Sequence, residues 1–157
     1  MRFVILAVVL CATCSASFAQ SDTAAIDKFI SAQATKLAGS EYEDARKVVT
    51  GDLNHDGVPD TAVLYTIEGM NGSNNYIQYL AVFLRTKKGL VYAAHEPVGG
   101  KNHRDVDLTS IANGLINLNT VDYAPKDPSC CPTIKGHTTY ALAGGVLREK
   151  RKGSRRS

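Results

Sequence analysis

The sequence predicts an α+β domain in which one N-terminal helix packs on a mostly antiparallel β-sheet of about eight short strands. Three observations predict this fold class. Helical spacing of apolar residues is confined to the segment 21–38. From Lys47 onward, short runs of β-forming residues alternate with turns rich in Gly, Asn and Pro. The connections between these runs are too short for parallel crossovers, so neighbouring strands should be antiparallel.

The predicted helix runs from Ser21 to Ala38. Ser21 or Asp22 can cap its start, and Gly39 is placed to end it in a left-handed conformation. Its apolar side chains share one stripe, which is expected to cover one face of the sheet. The stripe consists of Ile26, Phe29, Ile30 and Leu37.

The strands follow in order, with tight turns between them. Their expected ranges are 47–50, 61–68, 76–85, 90–96, 105–109, 116–119, 138–142 and 146–148. The third strand is apolar on both faces, as a central strand should be. Asn113-Gly114 is the preferred two-residue hairpin turn because both residues tolerate positive φ. A glycine-rich break at 98–103 and a proline-bearing loop at 124–135 should interrupt the sheet.

The first nineteen residues have the pattern of a signal peptide. Arg2 precedes the apolar run 3–10, and Ser17 and Ala19 place small side chains at the −3 and −1 positions of a cut after Ala19. The apolar run is too short to span a bilayer. We therefore expect a periplasmic or secreted protein, with a lipoprotein or a retained anchor as the alternative.

Charge divides the rest of the chain into two parts. Residues 20–147 form one predicted domain with 11 basic and 14 acidic residues, whereas residues 148–157 carry 6 basic residues and 1 acidic residue. The second part is therefore predicted to be a basic, disordered C-terminal tail. Because the basic excess lies in this tail, the overall charge does not indicate nucleic-acid binding.

The segment 51–60 joins the first two predicted strands and has the pattern of a loop that binds a hard cation. Oxygen ligands recur at alternate positions, and Gly57 permits the sharp turn that brings them together. The predicted Ca²⁺ ligands are Asp52, Asn54, Asp56, the Val58 carbonyl and Asp60. An EF-hand would need a bidentate Glu where Val63 stands, so that motif is rejected. A tight Asx turn that needs no metal is the alternative.

The loop resembles the calcium loops of FG-GAP/VCBS-type β-propeller repeats over 51–64, where the pattern Asp-x-Asx-x-Asp-Gly-x-x-Asp also joins two strands. The resemblance implies Ca²⁺ bound by the five ligands named above. It does not imply a propeller, because the loop occurs only once in the chain. The whole chain also resembles small exported bacterial proteins of unassigned function, through the segments 74–76, 98–101 and 127–132.

Cysteine usage changes if the leader is removed. Cys11 and Cys14 lie in the predicted signal peptide, which leaves only the adjacent pair Cys130-Cys131. A vicinal disulfide is expected in an oxidising compartment. An intermolecular or redox role and a pair of reduced thiols are the alternatives, since adjacent Cα atoms lie closer than an ordinary disulfide prefers. With His137 the pair could also bind a soft metal, but adjacent cysteines seldom both face one ion.

An enzymatic function has little support in the sequence. The chain lacks a Gly-x-Ser-x-Gly elbow, a His-Glu-x-x-His pair and a phosphate loop. Asp105 and Asp107 alternate on one strand and could serve a hydrolase, although exposed acidic positions are common. His55 is expected to point outward, and His103-Arg104-Asp105 to form a surface cluster.

These observations predict an exported calcium-binding protein of the bacterial envelope. Ca²⁺ is expected as a structural clip and as the cofactor, and the protein as a non-enzymatic binding or interaction module. Its partner would be an envelope or extracellular molecule, with no nucleic acid and no membrane span in residues 20–157. The alternative is a small secreted hydrolase stabilised by calcium.

Overall fold

The computed structural model describes residues 14–150, and side chains from Ser21 onward. It contains one α-helix and nine strands, which confirms the predicted α+β class. The additional strand is a two-residue segment after the helix. The elements are α1 Cys14–Lys36, β1 Ser40–Glu41, β2 Lys47–Gly51, β3 Asp60–Glu68, β4 Tyr76–Thr86, β5 Gly89–Gly100, β6 Arg104–Ala112, β7 Leu115–Asp122, β8 Ile134–Ala143 and β9 Val146–Lys150.

The strands form one antiparallel sheet in the order β1-β3-β4-β5-β6-β7-β8-β9, with β2 also paired to β3. From β3 onward each strand pairs with the next along the chain, as short connections require. β2 and β1 pair with successive parts of β3. The predicted turn at Asn113-Gly114 joins β6 to β7, and both residues have positive φ.

The sheet bends sharply between β5 and β6. Only one residue pair, Gly100 with Arg104, joins these two strands. Gly100 has a φ of 140°, and a Cβ there would lie 2.6 Å from the Tyr76 carbonyl oxygen, so only glycine fits. The bend stacks the β6–β9 part of the sheet on the β1–β5 part.

The core lies between these two parts of the sheet. Its buried residues come from alternate positions of both, because successive side chains of a strand face opposite sides. This inner core contains Leu53, Ala62, Leu64, Leu80, Val82, Ala94, Val98, Val106, Leu108, Ile116, Leu118, Tyr140 and Leu147.

The helix covers the outer face of β3 and β4 through a second core. Ile26 and Ile30 pack there with Val63, Tyr65, Ile67, Tyr79, Ala81 and Phe83. The predicted helical stripe is therefore confirmed. Two ion pairs join side chains of the helix to Arg85 of β4 and to Arg46, which precedes β2. Arg85 Nη2 lies 2.6 Å from Asp22 Oδ2, and Arg46 Nη1 lies 2.5 Å from Asp27 Oδ1.

The helix boundaries differ from those predicted. α1 begins at Cys14, so the expected cleavage point after Ala19 falls inside it, whereas residues 1–13 lie outside the described part. The left-handed residue after the helix is Ala38, with a φ of 49°, and not Gly39. Gly39 has a different role, since a Cβ there would lie 2.7 Å from the Glu68 carbonyl oxygen of β3.

Two other boundaries also differ. β5 continues to Gly100, so the expected break at 98–103 begins later than predicted. β9 continues to Lys150, so the residues 148–150 assigned to a disordered tail belong to the sheet. Residues 151–157 lie outside the described part. Within residues 14–150, no helix has the length and apolarity needed to cross a membrane.

Candidate metal-binding loop

The predicted calcium loop connects β2 to β3. Gly51 pairs with Asp60 at its base, so the residues between them form a loop that projects from the end of the β2–β3 hairpin. Leu53 points into the inner core and is 5% exposed, which anchors the loop to the domain. The next five residues, 54–58, are exposed. The loop is thus held at its base and open to solvent at its tip.

The polar side chains of the loop turn inward onto its own backbone. Asp52 Oδ1 accepts a hydrogen bond from the Asp56 N–H at 3.2 Å, and its Oδ2 accepts one from Gly57 at 2.9 Å. Asp56 Oδ1 accepts from the Val58 N–H at 2.8 Å. Each carboxylate oxygen can accept more than one bond, so these contacts leave capacity for a cation.

Asn54 joins the same cluster. Its Oδ1 accepts from the Asp56 N–H at 3.1 Å, and its Nδ2 donates to Asp56 Oδ2 at 2.9 Å. Three of the five predicted ligands therefore meet above one turn. Gly57 makes the turn with a φ of 80°.

The electrostatics of Asp52 follow from these contacts. Partial desolvation would raise its pKa, but the backbone N–H groups of Gly57, His55 and Asp56 outweigh this effect. The pKa of Asp52 therefore lies below its ordinary value, and the carboxylate keeps its charge into more acidic solution.

Asp60 is placed differently from the other predicted ligands. It is fully buried at the start of β3. Its Oδ2 accepts a hydrogen bond from the Leu53 N–H at 3.0 Å, and its Oδ1 accepts one from the Arg85 N–H at 2.8 Å. Asp60 thus ties the base of the loop to the end of β4. This structural role was not predicted from the loop pattern.

Among the side chains described, those of residues 21–150, no three imidazole, thiol or carboxylate groups converge in a way that would hold a metal ion. A calcium site in this loop would therefore need oxygens of other types. The Asn54 amide and the Val58 carbonyl are the two that the pattern supplies, and Val58 is 42% exposed. The hydrogen bonds of the loop fit the metal-free Asx turn as well as a calcium loop.

His55 links the loop to the other part of the sheet. It is exposed, as expected, and has a φ of 62°, which is uncommon for a residue with a Cβ. Its ring rests on the β6–β7 turn, where a Cβ on Gly114 would lie 2.6 Å from His55 Nε2. The candidate site and this turn therefore lie at the same end of the molecule.

Cys130 and Cys131 are joined by a disulfide bond. Both residues are exposed, in the loop between β7 and β8. Since β7 leads from the β6–β7 turn to this loop, the disulfide lies at the opposite end of the domain from the candidate metal loop. No Cys–Cys–His cluster is formed among the described residues, so the soft-metal alternative gains no support.

The carboxylates considered for hydrolysis both have partners. Asp105 accepts a hydrogen bond from the Tyr76 hydroxyl at 2.8 Å, and Asp107 forms an ion pair with Lys47. Burial is the largest cause of a raised pKa at Tyr76, and the hydrogen bond to Asp105 adds to it. Both carboxylates therefore have structural contacts across the sheet.

The predicted surface cluster around Arg104 is wrong in one respect. The Arg104 side chain is only 12% exposed. Its guanidinium donates to the Val98 carbonyl at 2.8 Å, and to Glu149 Oε1 and the Tyr140 hydroxyl at 2.9 Å. The aliphatic part of the Arg104 side chain therefore packs at the edge of the inner core, while hydrogen bonds and the ion pair with Glu149 satisfy its guanidinium.

Beside this network lies an open polar groove of about 460 Å³, to which His103 of the β5–β6 turn and His137 of β8 contribute. It is lined by His103, Arg104, Thr120, Asp122, Gly136, His137, Thr138 and Glu149.

Comparison with known proteins gives no relative for the chain. No family model, curated protein or solved structure matches it. The likeness of the loop to FG-GAP/VCBS-type repeats therefore remains a resemblance of one segment.

The contacts that sequence reasoning missed are those of Asp60, of Arg104 and of Gln78, whose side-chain amide bonds to the backbone of Val106. Each is a polar side chain within or beside a strand, and its partner lies at least six residues away in sequence. A polar residue in a strand next to buried positions was the one available signal. It indicates that a partner must exist but does not identify it.

Proposed function

We propose that the protein is an exported calcium-binding protein of the bacterial envelope, in which Ca²⁺ clips the β2–β3 connection of a non-enzymatic binding module. The observation that carries the proposal is the gathering of Asp52, Asn54 and Asp56 above the Gly57 turn. Two carboxylates and an amide oxygen in one exposed loop suit a hard cation. The resemblance to FG-GAP/VCBS-type loops supports the same ion.

A structural role for the ion fits the surroundings of the loop. Its base is joined to the sheet through Gly51, Leu53 and Asp60, so an ion at its tip would stabilise the folded state over the unfolded chain. Extracellular calcium modules often have Kd values of about 10⁻⁴ to 10⁻³ M. If calcium exceeds Kd about 100-fold, binding stabilises the fold by about 2.7 kcal/mol, and by less at a weaker site.

The test is a calcium titration of the purified protein after treatment with a chelator. We expect a saturable heat of binding by calorimetry and a rise in Tm with calcium. Magnesium at equal concentration serves as the ion control, because it resists dehydration and demands near-ideal octahedral geometry. Equal Tm values in calcium and in chelator, without binding heat, would contradict the proposal.

Asp56→Ala and Asp44→Ala form a matched pair for this titration. Both residues are exposed aspartates, but Asp44 lies in the short 3-10 turn before β2, away from the loop. We expect Asp56→Ala to abolish the calcium-dependent rise in Tm and Asp44→Ala to retain it. A calcium-dependent rise in Tm that persists in Asp56→Ala would show that the loop is not the site.

The binding role can be tested separately. A pull-down from envelope extract in calcium and in chelator should retain a partner that depends on the folded sheet. The hydrolase alternative would place its chemistry in the polar groove, which His103, Asp122 and His137 help to line. Hydrolysis of ester or glycoside substrates that is lost in His137→Ala would favour that alternative.

A further inference from the structure

The loop between β7 and β8 is closed by one carboxylate. Asp127 Oδ2 accepts hydrogen bonds from the Ala124 N–H at 2.7 Å and from the Thr133 N–H at 2.9 Å. The Thr133 hydroxyl donates to the same oxygen at 2.9 Å. Because Ala124 and Thr133 stand at the two ends of the loop, Asp127 holds its ends together.

Further hydrogen bonds fix the course of the chain inside this frame. The Tyr123 hydroxyl donates to the Ser129 carbonyl at 2.8 Å, and the Cys131 N–H donates to the Pro128 carbonyl at 3.0 Å. Pro128 and Pro132 restrict the backbone on both sides of the cysteine pair. None of these contacts involves a sulfur atom, so the loop has a framework that does not depend on the disulfide.

The Cys130–Cys131 bond adds little to this framework. A disulfide stabilises a fold mainly by closing a long loop of the unfolded chain, and adjacent residues enclose none. Both cysteines are also exposed, which leaves their sulfur atoms open to an attacking thiolate. The bond is therefore accessible and structurally dispensable, unlike the buried disulfides that hold small secreted domains together.

We propose that Cys130–Cys131 is a reversible redox site that exchanges with dithiols while the domain stays folded. A thiolate of the dithiol attacks one Sγ, breaks the Cys130–Cys131 bond, and forms a mixed disulfide while the other cysteine leaves as a thiolate. The second thiolate of the reductant then attacks the reductant's own sulfur in the mixed disulfide, which forms the reductant's internal disulfide and releases the remaining cysteine as a thiolate. Two electrons and two protons pass from the dithiol to the cysteine pair.

The site does not rest on the calcium proposal. Its partner class is a dithiol reductant, either a protein with two active cysteines or a small dithiol. Asp127 is a positioning residue in this scheme, because it holds the loop that presents the disulfide and does not touch sulfur in the contacts described above.

The experiment is reduction of the folded, full-length protein with dithiothreitol, followed by alkylation of thiols and peptide mapping. Cleavage after Lys126 and Lys135 releases the peptide 127–135, which contains both cysteines and excludes Cys11 and Cys14. We expect two alkyl groups on this peptide after reduction and none before it. Tm should change by no more than about 2 °C on reduction. In a parallel sample, removal of dithiothreitol and addition of oxidised glutathione before alkylation should restore the unlabelled peptide.

Three results would overturn the proposal. These are alkylation of both cysteines before any reductant is added, no alkylation until denaturant unfolds the protein, and a loss of the folded state on reduction. Cys130→Ser/Cys131→Ser is the matched control and should melt within about 2 °C of the wild type. Cys131→Ser, which leaves one thiol, should trap a mixed disulfide with glutathione that mass spectrometry detects on the same peptide.

Discussion

Gln78 and Val106 exchange two hydrogen bonds across the bend of the sheet. The Val106 N–H donates to Gln78 Oε1 at 2.9 Å, and Gln78 Nε2 donates to the Val106 carbonyl at 3.1 Å. Backbone pairing between β5 and β6 is reduced to one residue pair. The side-chain amide of Gln78 on β4 therefore takes the place of a neighbouring strand and bonds to the backbone of β6. It satisfies backbone groups that the bend would otherwise leave without partners.

Replacing this amide should destabilise the fold. Gln78→Met keeps the length of the side chain and removes both hydrogen bonds, so we expect a loss of about 1–3 kcal/mol in the free energy of unfolding. Urea denaturation measures it as a lower midpoint at unchanged slope. Gln33→Met on the helix is the control. A Gln78→Met midpoint equal to that of the control would mean that water replaces the amide at no cost.

The two predicted calcium ligands Asp56 and Asp60 should respond differently to removal. Asp60→Ala leaves the N–H groups of Leu53 and Arg85 without their buried acceptor, at a cost of roughly 2–5 kcal/mol. This loss should be present in calcium and in chelator alike. Asp56→Ala should lower Tm only in calcium. Thermal unfolding of both variants in both buffers makes the comparison.

The opposite dependence on calcium would exchange the roles assigned to Asp56 and Asp60. A loss in Asp60→Ala that vanishes in chelator would make Asp60 a ligand and not the support of the loop base. Asp60→Asn provides a second check, because its amide would direct N–H groups toward one of the two backbone donors. We expect it to be destabilised in both buffers.

Tyr65 contains the one buried side-chain polar atom that has no hydrogen-bond partner among the described residues. Its ring stacks on Tyr79 at a centroid distance of 5.4 Å, and burial raises the pKa of its hydroxyl. Tyr65→Phe removes the unpaired hydroxyl and keeps the ring, so stability should rise by up to about 1 kcal/mol. Chemical denaturation of the wild type and of Tyr65→Phe measures this change in the free energy of unfolding, with Tyr79→Phe as the control variant. A destabilised Tyr65→Phe would show that the hydroxyl has a partner, such as a buried water.

His95 should make stability depend on pH. Burial lowers its pKa, the charge of Lys36 on the helix lowers it further, and Glu96 opposes both. Its Nδ1 lies 2.7 Å from the Tyr92 hydroxyl. The unfolded chain, with a pKa near 6.5, binds the proton more readily than the folded chain. The free energy of unfolding should therefore fall as pH drops below about 6.5 and level off below the folded pKa.

The variant His95→Asn isolates this contribution. It keeps a polar group near Tyr92 and cannot be protonated, so the fall in stability between pH 7 and pH 5 should be smaller than in the wild type. His137→Asn, at an exposed position, should retain the wild-type slope. Equal slopes in all three proteins would show that other groups cause the pH dependence.

The sequence was sufficient to predict the helix, eight of the nine strands and their order. Ile26 and Ile30 predicted the buried side of the helix, and Asn113-Gly114 predicted the β6–β7 turn, because both signals lie within a few neighbouring residues. The bend at Gly100 was missed. A glycine-rich stretch indicates freedom of the backbone but not which distant carbonyl will approach it, here that of Tyr76.

The candidate site was predicted only in part, because its local contacts follow from the sequence and its contacts with distant residues do not. Asp52, Asn54 and Asp56 come together because their spacing and Gly57 act within one turn. Asp60 fits the same spacing, yet its carboxylate bonds to Arg85, which is 25 positions away in the chain. Spacing alone cannot distinguish an oxygen that is free for a metal from one already used by a distant backbone donor.

At these positions, the proposed calcium binding and the proposed disulfide exchange would be thermodynamically independent. The candidate metal loop contacts the start of β7 through Gly114, and the disulfide loop begins after the eight residues of that strand, about 25 Å away. Sites so far apart without shared partners contribute additively. Ion occupancy and thiol oxidation would then define four states of one molecule, each with a stability equal to the sum of two separate increments.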